Sequence, residues 1–173
     1  ELYHRSRARL FYSPYLCSMG LSLEDITELL NEKAAYYERP WFIEDDPVSI
    51  PHMFTAKEDR EIAGLLAASI AWGQRPVILK NASRLMKWMD YSPHDFILNA
   101  TPGDLEYFRD FKHRTFNGID CVYFLEALQN IYKHNNGLES VFSEAWKDAG
   151  GDAGIAIDVF RTKFFSHAEP GRT

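Results

Sequence analysis

Residues 55–89 read TAKEDREIAGLLAASIAWGQRPVILKNASRLMKWM, and the fold turns on how this stretch is divided. Thr55 with Glu58 three residues on has the pattern of a capping box, in which each side chain satisfies a free backbone donor at a helix start. From Ile62 onward, Ile62, Ala63, Leu65, Leu66, Ala67, Ala68, Ile70, Ala71 and Trp72 leave almost no polar face. This helix is expected to run through a domain centre. Gly73 suits the left-handed position just past a helix end, and Pro76 suits the first position of the next helix. The stretch therefore reads as helix, a corner at Gly73-Gln74-Arg75-Pro76, and helix.

The second of these helices divides into stripes. Ile78, Ala82, Leu85 and Met89 fall on one side at helical spacing, and Lys80, Arg84 and Lys87 fall roughly opposite, with no acid between Arg75 and Met89. The basic side is either a solvated surface or an anion-facing one. In the second case the N–H groups near Val77 and Ile78, with Arg75 beside them, would meet a phosphate.

Working outward, strand signals are nearly absent and helix starts recur. Ser22 with Asp25 opens a helix to about Tyr37, with Ile26, Leu29, Leu30 and Lys33 to Tyr37 as a largely apolar stripe ended by Pro40. Residues 41–54 read as an ordered loop pinned to the core by Trp41, Phe42, Ile50 and Phe54. Ser92-Pro93-His94-Asp95 and Thr101-Pro102-Gly103-Asp104 repeat one device, a hydroxyl N-cap, proline at N1 and an acid at N3. They open short helices at 93–99 and 102–111. A long helix is expected over 119–134, then helices over 138–146 and 153–165, separated by Gly150-Gly151-Asp152. The expected architecture is an all-α multi-helix bundle, with residues 19–166 as a single domain, 1–18 as a non-native-looking or disordered leader with a native start at Met19, and 167–173 as an irregular tail.

The chain has 173 residues, 46% of them hydrophobic, enough for a substantial core. No apolar run reaches the ~20 residues of a membrane span, so no membrane partner is expected. Two distant cysteines, Cys17 and Cys121, argue against a disulfide scaffold or a zinc site and for a cytoplasmic, reducing compartment. No Ser/His/Asp motif, phosphate-cradling loop or H-E-x-x-H pattern is present; no catalytic residue, metal ligand or cofactor is assigned. The net charge of −6 counts against a generic nucleic-acid binder. Acids concentrate toward the amino end (Glu24, Asp25, Glu28, Glu32, Glu38, Glu44, Asp45, Asp46), whereas 75–87 and Lys112-His113-Arg114 are locally basic. That second basic stretch, with the turn signal Asn117-Gly118 behind it, is either a surface turn whose Arg114 pairs with an acid such as Asp110, or a second anion site facing the Gln74-Arg75 corner.

The stretches AGLLAASIAWGQRPVILKNASRLMKWM and SPHDFILNATPGDLEYFRDFKHRTFNGIDCVYFLEALQNIY resemble an uncharacterised bacterial family, a conserved domain of unknown function, over roughly Leu21 to Phe165. More distantly, the order of apolar helix, Gln-bearing corner, second helix, short helix and polar turn before a long helix is similar to the first half of helix-hairpin-helix base-excision DNA glycosylases of the endonuclease III type. That resemblance implies a DNA-facing role for Gln74 where a base is flipped out, with Arg75 on a phosphate. The chain departs from it in having Trp72-Gly73 before Gln74 and Pro76 soon after. The resembled fold keeps its glycine-paired hairpin and catalytic Asp in its second half, relative to which this chain is truncated.

Two function classes follow. In the first, the chain is the amino-terminal helical part of a glycosylase-like DNA-binding protein, without its catalytic half. Its nucleic-acid-binding candidates are Gln74, Arg75, Lys80, Arg84, Lys87, Lys112, His113, Arg114 and Asn117. In the second, it is a helical protein-interaction or scaffold domain with an unknown protein partner, presenting Tyr36, Tyr37, Trp41 and Trp88.

Overall fold

The computed structural model describes residues 22–166; the leader, Cys17, the start at Met19 and the tail at 167–173 lie outside the described residues. The chain divides into two compact units, one within residues 1–42 and one within 43–173.

In the first unit, α1 (Leu23–Tyr37) starts at the expected capping box, with Asp25 N–H donating to Ser22 Oγ and the Asp25 carboxylate accepting from Ser22 N–H. The apolar stripe expected along it buries nothing: α1 has no buried residue. Its carboxyl end runs into α2 (Pro40–Glu44), where Tyr36, Tyr37, Trp41 and Phe42 meet edge to face.

Among the described residues the second unit is all-α apart from one hairpin. Where a loop was expected, 49–52 forms α3 (Ser49–His52). Ile50 and Phe54 are buried as expected, whereas Trp41 is exposed and Phe42 half-buried, both in the first unit. Next come α4 (Lys57–Ser69), α5 (Arg75–Trp88), α6 (Pro93–Asn99), α7 (Pro102–Glu106) and a 3-10 turn at Tyr107–Asp110. The hairpin β1 (Lys112–His113) and β2 (Phe116–Asn117) precedes α8 (Gly118–His134), α9 (Leu138–Asp148) and α10 (Ala153–Phe164).

The core collects Ile62, Leu66 and Ile70 from the α4 segment, Ile78, Ala82, Leu85, Met86 and Met89 from the α5 segment, Ile97 from α6, Phe108 and Phe111, and Leu125, Leu128 and Ile131 from α8. Each large side chain removed from water contributes on the order of 1.5–3 kcal/mol. The α5 stripe of Ile78, Ala82, Leu85 and Met89 is buried as its spacing predicted. The α4 segment is less uniform, since Ala68, Ala71 and Trp72 are exposed.

Helix ends depart from expectation in instructive ways. The α4 N-cap is Ala56, with no side-chain cap: the helix begins one residue late for Thr55 to reach its first turn. Ser92 likewise makes no cap bond, because Asp59 of α4 reaches across and accepts the His94 N–H at 2.9 Å. Thr101 and Asp104 do form their box, although the α-helix closes at Glu106 and tightens into the 3-10 turn. At the other end of α6, Gln129 Nε2 donates to the carbonyls of Ile97 and Ala100 at 2.9 and 3.0 Å. A side chain of α8 thereby satisfies carbonyls that α6 leaves open.

Two tight features carry predictions. A Cβ at Gly118 would overlap the Arg109 carbonyl, so Gly118→Ala should cost about 2–4 kcal/mol, by displacing the 3-10 turn from α8. Chemical denaturation of the two proteins checks this. The Tyr132 hydroxyl donates to Glu61 Oε2 at 2.7 Å, and burial, with Glu61 beside it, pushes its pKa far above the usual tyrosine range. Burial also pushes the Cys121 thiol up to about 12. Both groups keep their protons in the folded state while the unfolded chain loses them, near pH 8.5 for cysteine and 10 for tyrosine. Their stabilisation is present below those values and lost as pH rises past them. The urea midpoint should therefore fall between pH 8 and pH 11, and more gently in Tyr132→Phe, which at pH 7 should lose about 1–2 kcal/mol.

Candidate nucleic-acid interface

The corner is built by a helix that stops early. After the C-cap Ile70, Ala71 N–H donates to Ala68 and Trp72 N–H to Ile70, turning the chain outward. Gly73 follows at φ +119°, a conformation that side-chain-bearing residues rarely adopt. The expected left-handed helix cap is thus a glycine set three residues beyond the C-cap, in the corner itself. Gln74 is the extended N-cap of α5, which starts at Arg75 and places Pro76 second. Its backbone carbonyl accepts from both Val77 and Ile78 N–H, at 3.0 and 3.1 Å. Those two donors, read from sequence as free for a phosphate, are engaged within the turn.

The hairpin is the strand element that the sequence did not announce. Lys112 pairs with Asn117 and His113 with Phe116, around a two-residue loop whose Arg114 sits at φ +56°. Asn117 then serves as N-cap of α8, its Oδ1 accepting from Ile119 and Asp120 N–H while Asp120 accepts from Asn117 N–H.

Corner, hairpin and α5 meet at His113, which is 2% exposed. Its Nδ1 accepts from Asn81 Nδ2 of α5 at 2.8 Å, and its Nε2 faces the Trp72 carbonyl at 3.1 Å. A neutral imidazole with its proton on Nε2 satisfies both bonds. Its ring meets the Trp72 indole edge to face, centroids 5.8 Å apart. One residue on, the Arg114 guanidinium lies 5.1 Å from the centre of that same indole and against Gly73, where any Cβ would come within 3.0 Å of its Nη1. Arg114 therefore turns toward the corner, and no Arg114–Asp110 ion pair forms among the described residues.

The remaining candidates distribute as follows. Gln74 is exposed and its side chain does not cap α5. Arg75 is exposed, with Nη2 3.6 Å from Asp46 Oδ2, a surface pair of small energetic weight. Lys80, Lys87 and Lys112 are exposed. Arg84 is half-buried, its guanidinium 5.0 Å from both the Trp88 and Phe111 rings, and its Nε is buried without a partner. His113 and Asn117 are spent on holding the scaffold.

The sequence reading missed Trp72 and Asn81. Asn81 carried a usable signal, a polar residue between Ile78 and Ala82 in the buried stripe, which burial tolerates only with a specific partner. Removing that partner should be costly: Asn81→Ala leaves His113 Nδ1 buried and unpaired, with an expected loss of about 1–3 kcal/mol. Faster amide exchange at residues 112–117 should accompany the loss, read by urea denaturation and hydrogen exchange.

Among the described residues no three His, Cys, Asp or Glu side chains gather as metal ligands, and no helix is long and apolar enough to cross a membrane. No curated protein and no solved structure matches the chain. The profile of the family described as "Protein of unknown function (DUF2400)" matches residues 46–173. That span takes in the corner, α5, the hairpin and all the helices that hold them, and on it this chain belongs to the DUF2400 family.

Proposed function

We propose that the corner and hairpin form a nucleic-acid-binding face of a glycosylase-like, cytoplasmic protein, with Arg75, Lys80, Arg84, Lys87, Lys112 and Arg114 toward phosphates and the Gln74 amide toward base edges. One observation carries the reading. Arg114 packs on Trp72 and Gly73, so a basic residue far away in sequence is brought to the corner that carries the exposed Gln74, whose amide offers both donors and an acceptor. The acidic net charge weighs less against this because the helix of the first unit holds Glu24, Asp25, Glu28 and Glu32 against Lys33 alone. No catalytic residue is assigned in this chain; the role is binding.

A protein-interaction role is favoured by a different observation, the exposed aromatic cluster of Tyr36, Tyr37 and Trp41 in the first unit. Trp88 does not join it, since it packs against Tyr107, Phe108 and Phe111.

Titration of the full chain with a fluorescent 20-base-pair DNA duplex across 20–200 mM KCl separates the two. Nucleic-acid binding predicts an affinity that falls steeply with salt, and Arg114→Ala should reduce the log–log slope by about one counterion. Absence of binding at 20 mM KCl, or an unchanged slope in the variant, would favour the protein-interaction role.

A further inference from the structure

Resting on the nucleic-acid reading above, we propose that Trp72 and Arg114 form a stacking site for a base of single-stranded DNA, so that this face prefers an unpaired strand to a duplex.

Trp72 is anomalous for its position. Ile70, two residues earlier, is fully buried, whereas the indole beyond it stands 39% exposed at the turn of the corner. The hydrogen bond that anchors this residue runs from His113 Nε2 to its backbone carbonyl, a bond that any residue at this position could accept. The exposed ring is nevertheless held still. His113 meets it edge-on, and the positive φ of Gly73 fixes the chain on its other side. A rigid, solvent-facing indole binds a flat partner with little conformational entropy left to lose.

Arg114 supplies the second component. Its guanidinium lies over the indole, 5.1 Å from its centre, and close against Gly73, where a Cβ would crowd its Nη1 at 3.0 Å. It places a cation over one face of the ring, so a base stacks on the opposite face and its flanking phosphate reaches the guanidinium around the ring edge. Lys112, exposed and two residues earlier on the hairpin, extends the positive track. Stacking plane and adjoining cations together are the elements by which proteins hold single strands regardless of sequence. A duplex offers its base faces to neighbouring bases only, so it can use the cations but not the indole.

The test separates base from backbone. Two fluorescein-labelled DNA 12-mers are titrated into the full chain at 50 mM KCl: oligo(dT), and the same strand with its four central bases replaced by abasic sugars. They carry the same phosphates. The expected result is roughly tenfold tighter binding of the strand that keeps its bases, with quenching of tryptophan emission. In Trp72→Leu the ratio between the strands should fall to about one, and in Trp72→Phe part of the ratio should remain while most of the quenching is lost. The Phe variant keeps an aromatic ring in the corner should the Leu variant fold poorly. Equal affinity of the two strands for the parent chain, or a ratio that survives in Trp72→Leu, would overturn the stacking site and leave the phosphate-binding face standing. Failure of the chain to bind either strand or a duplex at 20 mM KCl would remove both.

Discussion

A single buried imidazole holds the second unit's surface in order. His113 takes a hydrogen bond from Asn81 in the middle of α5 and faces the carbonyl of Trp72 at the end of the α4 segment. Without it, the corner, α5 and the hairpin would meet through the Arg114–Trp72 ring contact and apolar packing, which is strong but non-directional. The two polar bonds give direction: they set where the corner points and which side of the hairpin faces it. A buried polar group of this kind stabilises only when fully satisfied, and here one neutral tautomer satisfies both ring nitrogens.

The geometry at the surface follows from that arrangement. Side chains alternate along a strand, so burying His113 turns Lys112 away from the core, and the loop at positive φ carries Arg114 out to the surface. Arg114 then lies against the bare backbone of Gly73. Arg84 shows the complementary case. Its guanidinium is flanked by two aromatic rings and its Nε has no hydrogen-bond partner, so its charge is balanced by ring faces rather than by a carboxylate.

Much of the fold was legible from the residues because its signals are local. The helix starts at Ser22 and Thr101 and the buried stripe of α5 follow from spacing and capping chemistry. Those that failed depend on more than local composition. Thr55 and Ser92 have the composition of caps, but helix onset is set elsewhere, at Ala56 in one case and by Asp59 reaching His94 in the other. The apolar stripe of α1 is real as a pattern and buries nothing, since periodicity states which side would pack and not whether anything packs there. The hairpin escaped notice because two-residue strands are too short to show alternation. Of the candidate surface, the charges and Gln74 were readable one by one; that Arg114 lies on Trp72 was not, because a pairing across 42 positions leaves no mark in local pattern.

Asn117 belongs to two elements at once. It is the last residue of β2 and the N-cap of α8, so no linker separates hairpin from helix. An α-helix turns about 100° per residue. A single residue gained or lost at this junction would rotate Val122, Leu125 and Leu128 out of the core, so the hairpin acts as a spacer of fixed length. Slack of the kind that would absorb an extra residue lies elsewhere in this chain, as at the Gly150-Gly151 break before α10, where a Cβ at Gly150 would meet nothing within 4 Å. The surface that carries Arg114 is bound to the core's own register: chemistry can change there by substitution, but not by insertion.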